Sequence, residues 1–175
     1  TQLGKHVLAY EEELPDIEEA DLVIVGCGEM RGLGMQYTAT DAPDKIRSAF
    51  YSLFYWHTQV KVADLGNIKI GATLNDSYAV VKMVVAELLQ MGKKVLILGG
   101  SHDITYPQYL SYGTMNKIVD AVVVDSKIDL DMETVLPAEQ FLVEMFTGMP
   151  NHLKHYTHIG FQSYFMHPDM LETID

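Results

Sequence analysis

Three stretches of this chain carry residues whose types and spacing could do chemistry. Gly99-Gly100-Ser101-His102-Asp103 sets an imidazole after two glycines, and Asp125-Ser126-Lys127-Ile128-Asp129 sets two carboxylates four residues apart. Gly26-Cys27-Gly28-Glu29-Met30-Arg31-Gly32-Leu33-Gly34 is a glycine-rich loop with a thiol. Paired glycines let a backbone turn tightly and come close to a ligand. One imidazole with two carboxylates makes a mixed nitrogen and oxygen donor set for a divalent ion such as Mn, Zn or Fe. The same residues also serve as hydrogen-bonded turn formers and as caps of loops and helices, and spacing alone leaves both readings open.

The glycine loop reads Gly-x-Gly-x-x-x-Gly rather than the Gly-x-Gly-x-x-Gly of a dinucleotide site. No helical pattern opens directly after it to aim amides at a phosphate. A flexible loop beside the site is therefore expected, and a nucleotide-binding domain is the weakest of the functional options. Cys27 reads as a small buried residue at a strand end, because nothing local marks a lowered thiol pKa.

In open parallel α/β sheets such groups act just outside the carboxyl ends of the strands, so the elements that position them come next. Short β-branched runs predict strands over Leu22–Gly26, Gln59–Asp64, Val95–Gly99, Ala121–Asp125 and Tyr156–Gly160, mostly as runs buried on both faces. Helical patterns alternate with them. One opens at Pro43, with Ile46, Ala49, Phe50, Leu53 and Phe54 as its apolar stripe, and another is capped by Asn75 or Asp76 and ended by Gly92. Two more are predicted over Ile104–Tyr112 and over Pro137–Phe146, the latter stopped by Gly148. The alternation predicts an α/β fold, a mostly parallel sheet with helices on both faces. Residues 1–175 show no repeat or linker-like shift in composition and read as a single domain. Met166–Glu172 reads as a helix beginning, so the chain is expected to be the N-terminal part of a longer one.

Composition narrows the classes further. The 175 residues hold 24 acidic against 12 basic side chains, a formal net charge of −12, with no dense Lys or Arg cluster. Nucleic acid is not expected as a partner. The acidic run Glu11-Glu12-Glu13, continued by Asp16, Glu18, Glu19 and Asp21, reads as a solvated segment. No apolar run nears the roughly 18 to 20 residues of a membrane helix, and no signal-peptide pattern opens the chain. A lone Cys27 rules out an internal disulfide framework, and a cytoplasmic protein is expected. The methionines read as core fillers and Trp56 as a packing anchor. His6, His57, His152, His155, His158 and His167 receive no role, and Asn151–His158 reads as a polar loop entering a strand.

Five elements in order resemble the ureohydrolase family, which includes arginase, agmatinase and formimidoylglutamase, and the formimidoylglutamase-type branch is the most similar. Ala42-Pro43-Asp44-Lys45-Ile46-Arg47 is similar to the family's Gly-Pro-x-x-Ile-Arg helix start, and Asp64-Leu65-Gly66-Asn67 to its Asp-x-Gly-Asp strand end. Gly99–Asp103 resembles its Gly-Gly-Asp-His-Ser element, Asp125–Asp129 its Asp-Ala-His-x-Asp element, and Tyr156–Gly160 the strand that follows. The resemblance implies a three-layer α/β/α, arginase-like fold, incomplete in this chain, with two manganese ions at the strands' carboxyl ends. It also implies hydrolysis of a carbon–nitrogen bond in a linear amidine, a guanidino or formimino substrate, with release of urea or formamide.

Carried over by position, His102, Asp125 and Asp129 match ligands of one metal, Asp125 bridges to the other, and Asp129 and Lys127 are the catalytic candidates. Lys127 stands where the family's motif has its second histidine, and a protonated ammonium has no lone pair for a metal. One Mn2+ rather than two, or none, is therefore expected, with the Lys127 charge standing among the carboxylates in place of the missing ion. The alternative is a degenerate, non-catalytic member of the family with a partial metal site. The family's later Asp-x-Asp ligands have no counterpart here, and the strands that carry them lie in mid-sheet. A gap with free strand edges follows, so the chain is expected to be unstable or a homo-oligomer.

Overall fold

The computed structural model describes residues 1–35 and 39–170. Its β-branched run at Val23, Ile24 and Val25 forms the centre of β2 (Leu22–Cys27), which lies between β3 (Val62–Asn67) and β4 (Lys94–Gly99). A two-residue edge strand, β1 (Leu8–Ala9), completes a parallel four-stranded sheet in the order β1-β3-β2-β4. Successive side chains of a strand point to opposite faces. Ile24 accordingly packs with Leu3, Leu98 and Phe50 beneath α1 (Ala42–Tyr51). Val23 and Val25 pack with Leu88, and Cys27 with Val81 and Val85, beneath α2 (Leu74–Gln90) on the other face. The result is three layers, helix on sheet on helix.

A second sheet holds β5 (Val119–Val124) and β6 (Leu153–Ile159), paired in parallel. Its inner face seats Ala121, Leu153 and Tyr156 against Tyr109 of α3 (Thr105–Gly113) and against Phe141, Leu142 and Met145 of α4 (Pro137–Thr147). Among the described residues β4 and β5 are both edge strands, so the sheet is interrupted between them. β5 therefore alternates half-buried and exposed positions instead of being buried on both faces, and Val124 is 76% exposed.

Several boundaries differ from the sequence-based expectation, each for a local reason. The strand expected at Gln59–Asp64 begins only at Val62, because Val60 N–H closes a turn onto the His57 carbonyl at 2.9 Å. The N-cap of α2 is Thr73, not Asn75 or Asp76. Thr73 Oγ1 accepts from Asp76 N–H at 3.1 Å while Asp76 Oδ2 accepts from Thr73 N–H at 2.8 Å, a capping box with Asp76 as its third helical residue. α1 stops at Tyr51, so Leu53 and Phe54 fall outside its stripe and are exposed. Trp56 follows them and is 82% exposed, which corrects its reading as a packing anchor. Met145 and Met166 fill core positions, whereas Met83, Met91, Met132 and Met149 face solvent. Most of the segment read as a polar loop before His158 is strand, since β6 starts at Leu153. The helix expected near Met166 opens at residue 168, and Leu171 and Glu172 lie outside the described residues.

Candidate metal centre

The turn after β4 is held by close backbone contact. A Cβ on Gly100 would lie 2.0 Å from the Glu29 carbonyl oxygen, so only glycine lets the two backbones meet. Ser101 then donates to that same carbonyl from its N–H at 2.9 Å and from its hydroxyl at 3.1 Å. A 3-10 turn over His102–Ile104 follows and presents the His102 ring at the carboxyl end of the sheet.

Asp125 leaves β5 by a tight turn. Its Oδ1 accepts from Ser126 N–H at 2.6 Å, which commits that oxygen to the backbone and leaves Oδ2 turned toward His102. Ile128, almost fully buried, anchors the loop, and Asp129 beside it is buried as well. His102 Nδ1–H donates to Asp129 Oδ2 at 2.8 Å, and Asp125 Oδ2 lies 3.5 Å from the same nitrogen. One donor atom from each of the three residues falls within 4.8 Å of the others. The hydrogen bond to Asp129 raises the imidazole pKa, partial burial opposes it, and the charges of Asp129 and Asp125 add to the rise. An imidazole that holds its proton so is set between two anions, which is where a cation would also settle.

Two residues that sequence reasoning left without a role support this centre. His158 Nε2–H donates to the Asp125 carbonyl at 2.9 Å, and the Tyr156 hydroxyl donates to His158 Nδ1 at 2.6 Å. These bonds orient the His158 ring and pin the end of β5 to β6. Burial, with the charges of Asp129 and Asp125 behind it, pushes the Tyr156 hydroxyl up to about 12. The available signal was the strand alternation of Tyr156 and His158, which puts both on one face of β6.

Lys127 sits on the same loop but turns toward α4, its Nζ 3.3 Å from Glu139 Oε1, and among the described residues it makes no ion pair with Asp125 or Asp129, which corrects the expectation that its charge stands among those carboxylates. A cavity of about 340 Å3 opens beside it, walled in part by Leu130, Asp131, Phe165 and His167.

Two other motifs have structural employment. Asp64 is buried and accepts from Arg47 Nε at 2.7 Å, Arg47 Nη2 at 3.1 Å, the Tyr51 hydroxyl at 2.5 Å and Gly66 N–H at 2.8 Å. The Pro43–Arg47 and Asp64–Asn67 elements are thus two halves of one ion pair that joins α1 to β3. In the glycine loop Glu29 is fully buried and binds Arg31 through Oε1 at 2.9 Å and Oε2 at 2.6 Å. Arg31 also donates to the carbonyls of Gly71, Ala72 and Thr73, just ahead of α2. The loop is therefore anchored at Glu29 and Arg31 rather than free. Burial alone would raise the Glu29 pKa, but the bonds from Arg31 outweigh it and hold the carboxyl at about 2. Cys27 is fully buried, and burial pushes its thiol pKa up, away from that of a nucleophile.

The parallel sheet, helices on its two faces and a donor cluster at the strands' carboxyl ends make this an α/β protein of arginase-like architecture. Residues 20–169 match the family model described as the Arginase family, and the chain belongs to that family. It is 30% identical over 98 residues to the formimidoylglutamase of Hahella chejuensis, an alignment covering 53% of this chain and 30% of that protein. Among solved structures, a variant of Trypanosoma cruzi formiminoglutamase with Mn2+ superposes with a TM-score of 0.74 at 19% identity. That superposition covers 91% of this chain and 58% of the other. Formimidoylglutamase from Bacillus subtilis gives a TM-score of 0.69 at 19% identity, covering 89% of this chain and 52% of that one. Arginase from Medicago truncatula gives 0.69 at 18%, covering 89% and 54%. The chain spans just over half the length of these solved structures, and at such identities the likeness is one of fold.

Proposed function

We propose that the whole protein hydrolyses a carbon–nitrogen bond in a linear amidine, a formimino substrate first and a guanidino one second. His102, Asp125 and Asp129 hold one manganese ion in this reading. The observation that carries it is the meeting of one imidazole nitrogen and two carboxylate oxygens within 4.8 Å at the sheet's carboxyl end. This donor set suits a hard or borderline divalent ion. Bound there, such an ion supplies Lewis-acid activation of water near neutral pH.

The chain's own residues do the rest. Asp125 keeps Oδ1 in its turn and offers Oδ2. His102 would hold the ion as the neutral imidazole, so coordination through Nδ1 would replace the hydrogen bond to Asp129. Asp129, which orients the His102 ring through this bond, would offer its carboxylate to the ion as the ionised ligand. Lys127 is paired with Glu139 of α4, so this loop offers neither a second imidazole nor a free cation to the centre. The lysine also favours a second reading, a non-catalytic member of the family that keeps a partial metal site. We further propose a homo-oligomer, on the open edges of β4 and β5, and a reducing cytoplasmic location, on the lone thiol of Cys27.

Calorimetric titration with Mn2+, paired with assays of formamide and urea release by the full-length protein from formiminoglutamate, arginine and agmatine, tests these readings. Stoichiometric Mn2+ and turnover, both lost in His102→Ala, are expected. Metal binding without turnover selects the second reading, and neither binding nor turnover overturns the metal centre.

A further inference from the structure

Asp103 follows His102 in the chain, yet its partners belong to another part of the molecule. It is only 1% exposed. The Tyr78 hydroxyl donates to its Oδ2, whereas Oδ1 has no hydrogen-bond partner among the described residues. A Cβ on Gly32 would lie 2.1 Å from that Oδ1, so the glycine leaves the carboxylate its room. A buried carboxylate oxygen without a donor is costly, and each such atom in a native structure calls for an explanation.

The carboxylate lines a cavity of about 270 Å3 between α2, α3 and α4, which Tyr78, Tyr106, Phe141, Gln140 and Glu144 also wall. No Lys, Arg or His is among its lining residues, and none of His102, Asp125 and Asp129 borders it. The local field is negative: burial and the Glu144 charge together push the Tyr106 hydroxyl pKa up. Three aromatic rings beside two carboxylates make a surface that attracts a cation and also covers an alkyl group. A bare metal ion would want several converging oxygens, which rings do not provide.

We propose that this cavity binds a small organic cation with N–H donors, a primary alkylammonium or an amidinium. Its N–H bonds the Asp103 carboxylate, its charge sits between Asp103 and Glu144, and its carbon skeleton lies against Tyr78, Tyr106 and Phe141. The site is separate from the metal centre and does not depend on that reading.

The test is titration with n-propylammonium chloride, against potassium chloride at matched ionic strength, followed by melting temperature and by NMR shifts of the tyrosine rings. Saturable shifts with propylammonium and none with potassium are expected. Glu144→Lys, at an exposed position of α4, places a fixed cation at the cavity and weakens propylammonium binding by at least about tenfold while the fold is kept. Asp103→Asn abolishes binding if it folds. His102→Ala leaves it unchanged, so failure of the metal centre and failure of this site are told apart. Equal responses to the two salts, as when water alone fills the cavity, or undiminished binding by Glu144→Lys, would overturn the proposal.

Discussion

Glu29→Gln tests whether the glycine loop is held by charge. Glu29 is fully buried, and the bonds from Arg31 hold its carboxyl at about 2, below its ordinary 4.5. At about 1.4 kcal/mol per unit, the ionised form stabilises the fold by roughly 3 kcal/mol at pH 7 relative to the protonated form. The folded pKa lies below the unfolded one. That stability is therefore present above pH 4.5 and lost as the pH falls toward 2. About 2 kcal/mol of it is gone by pH 3. The amide keeps the shape of the side chain but not its charge, and Arg31 retains its bonds to the Gly71, Ala72 and Thr73 carbonyls. Urea unfolding of both proteins at pH 7 and pH 3 is the assay. The variant is expected to be about 3 kcal/mol weaker at pH 7, with the gap shrinking to about 1 kcal/mol at pH 3. Equal stability at pH 7, or a gap that does not narrow on acidification, would refute the reasoning.

Three further outcomes are expected. Asp64→Asn removes the charge that Arg47 pairs with inside the fold and costs about 3 to 5 kcal/mol in urea unfolding, as breaking a buried ion pair does; a loss under about 1 kcal/mol counts against that role. His158→Ala frees the Asp125 carbonyl and weakens Mn2+ binding by about 10 to 100-fold, read by calorimetry, while an unchanged affinity sinks the supporting role. Lys127→His adds an imidazole to the loop and raises the Mn2+ stoichiometry from one toward two, read by electron paramagnetic resonance; an unaltered stoichiometry argues against a second metal position at this loop.

Much of the architecture was legible because strands and helices leave local marks. Leu22–Cys27 and Lys94–Gly99 follow β-branched or aliphatic runs, and the glycine pair before Ser101 marks a tight turn, although the close approach it allows is of Gly100 to the Glu29 backbone rather than to a ligand. Other features were illegible for equally physical reasons. Trp56 has the composition of a core anchor, but α1 ends too early to carry it inward. Thr73 is a different case, since Thr73-Leu74-Asn75-Asp76 has the Thr-x-x-Asp spacing of a capping box and this cap is legible from that spacing, though not from residue type alone. His158 looked idle, since its partner is a backbone carbonyl 33 residues away.

Local pattern thus determined which segments become strands and helices, and that an imidazole and two carboxylates follow strand ends, because periodicity and paired glycines are properties of near neighbours. Only the tertiary structure decided how the acidic groups divide their tasks. Asp64 and Glu29 are consumed by arginines, Asp125 and Asp129 meet His102, and Asp103 keeps one oxygen unpaired among the described residues. The reason is that a carboxylate's role depends on which charge or donor lies within a few ångströms. That is settled by the order in which strands pair and helices cover them.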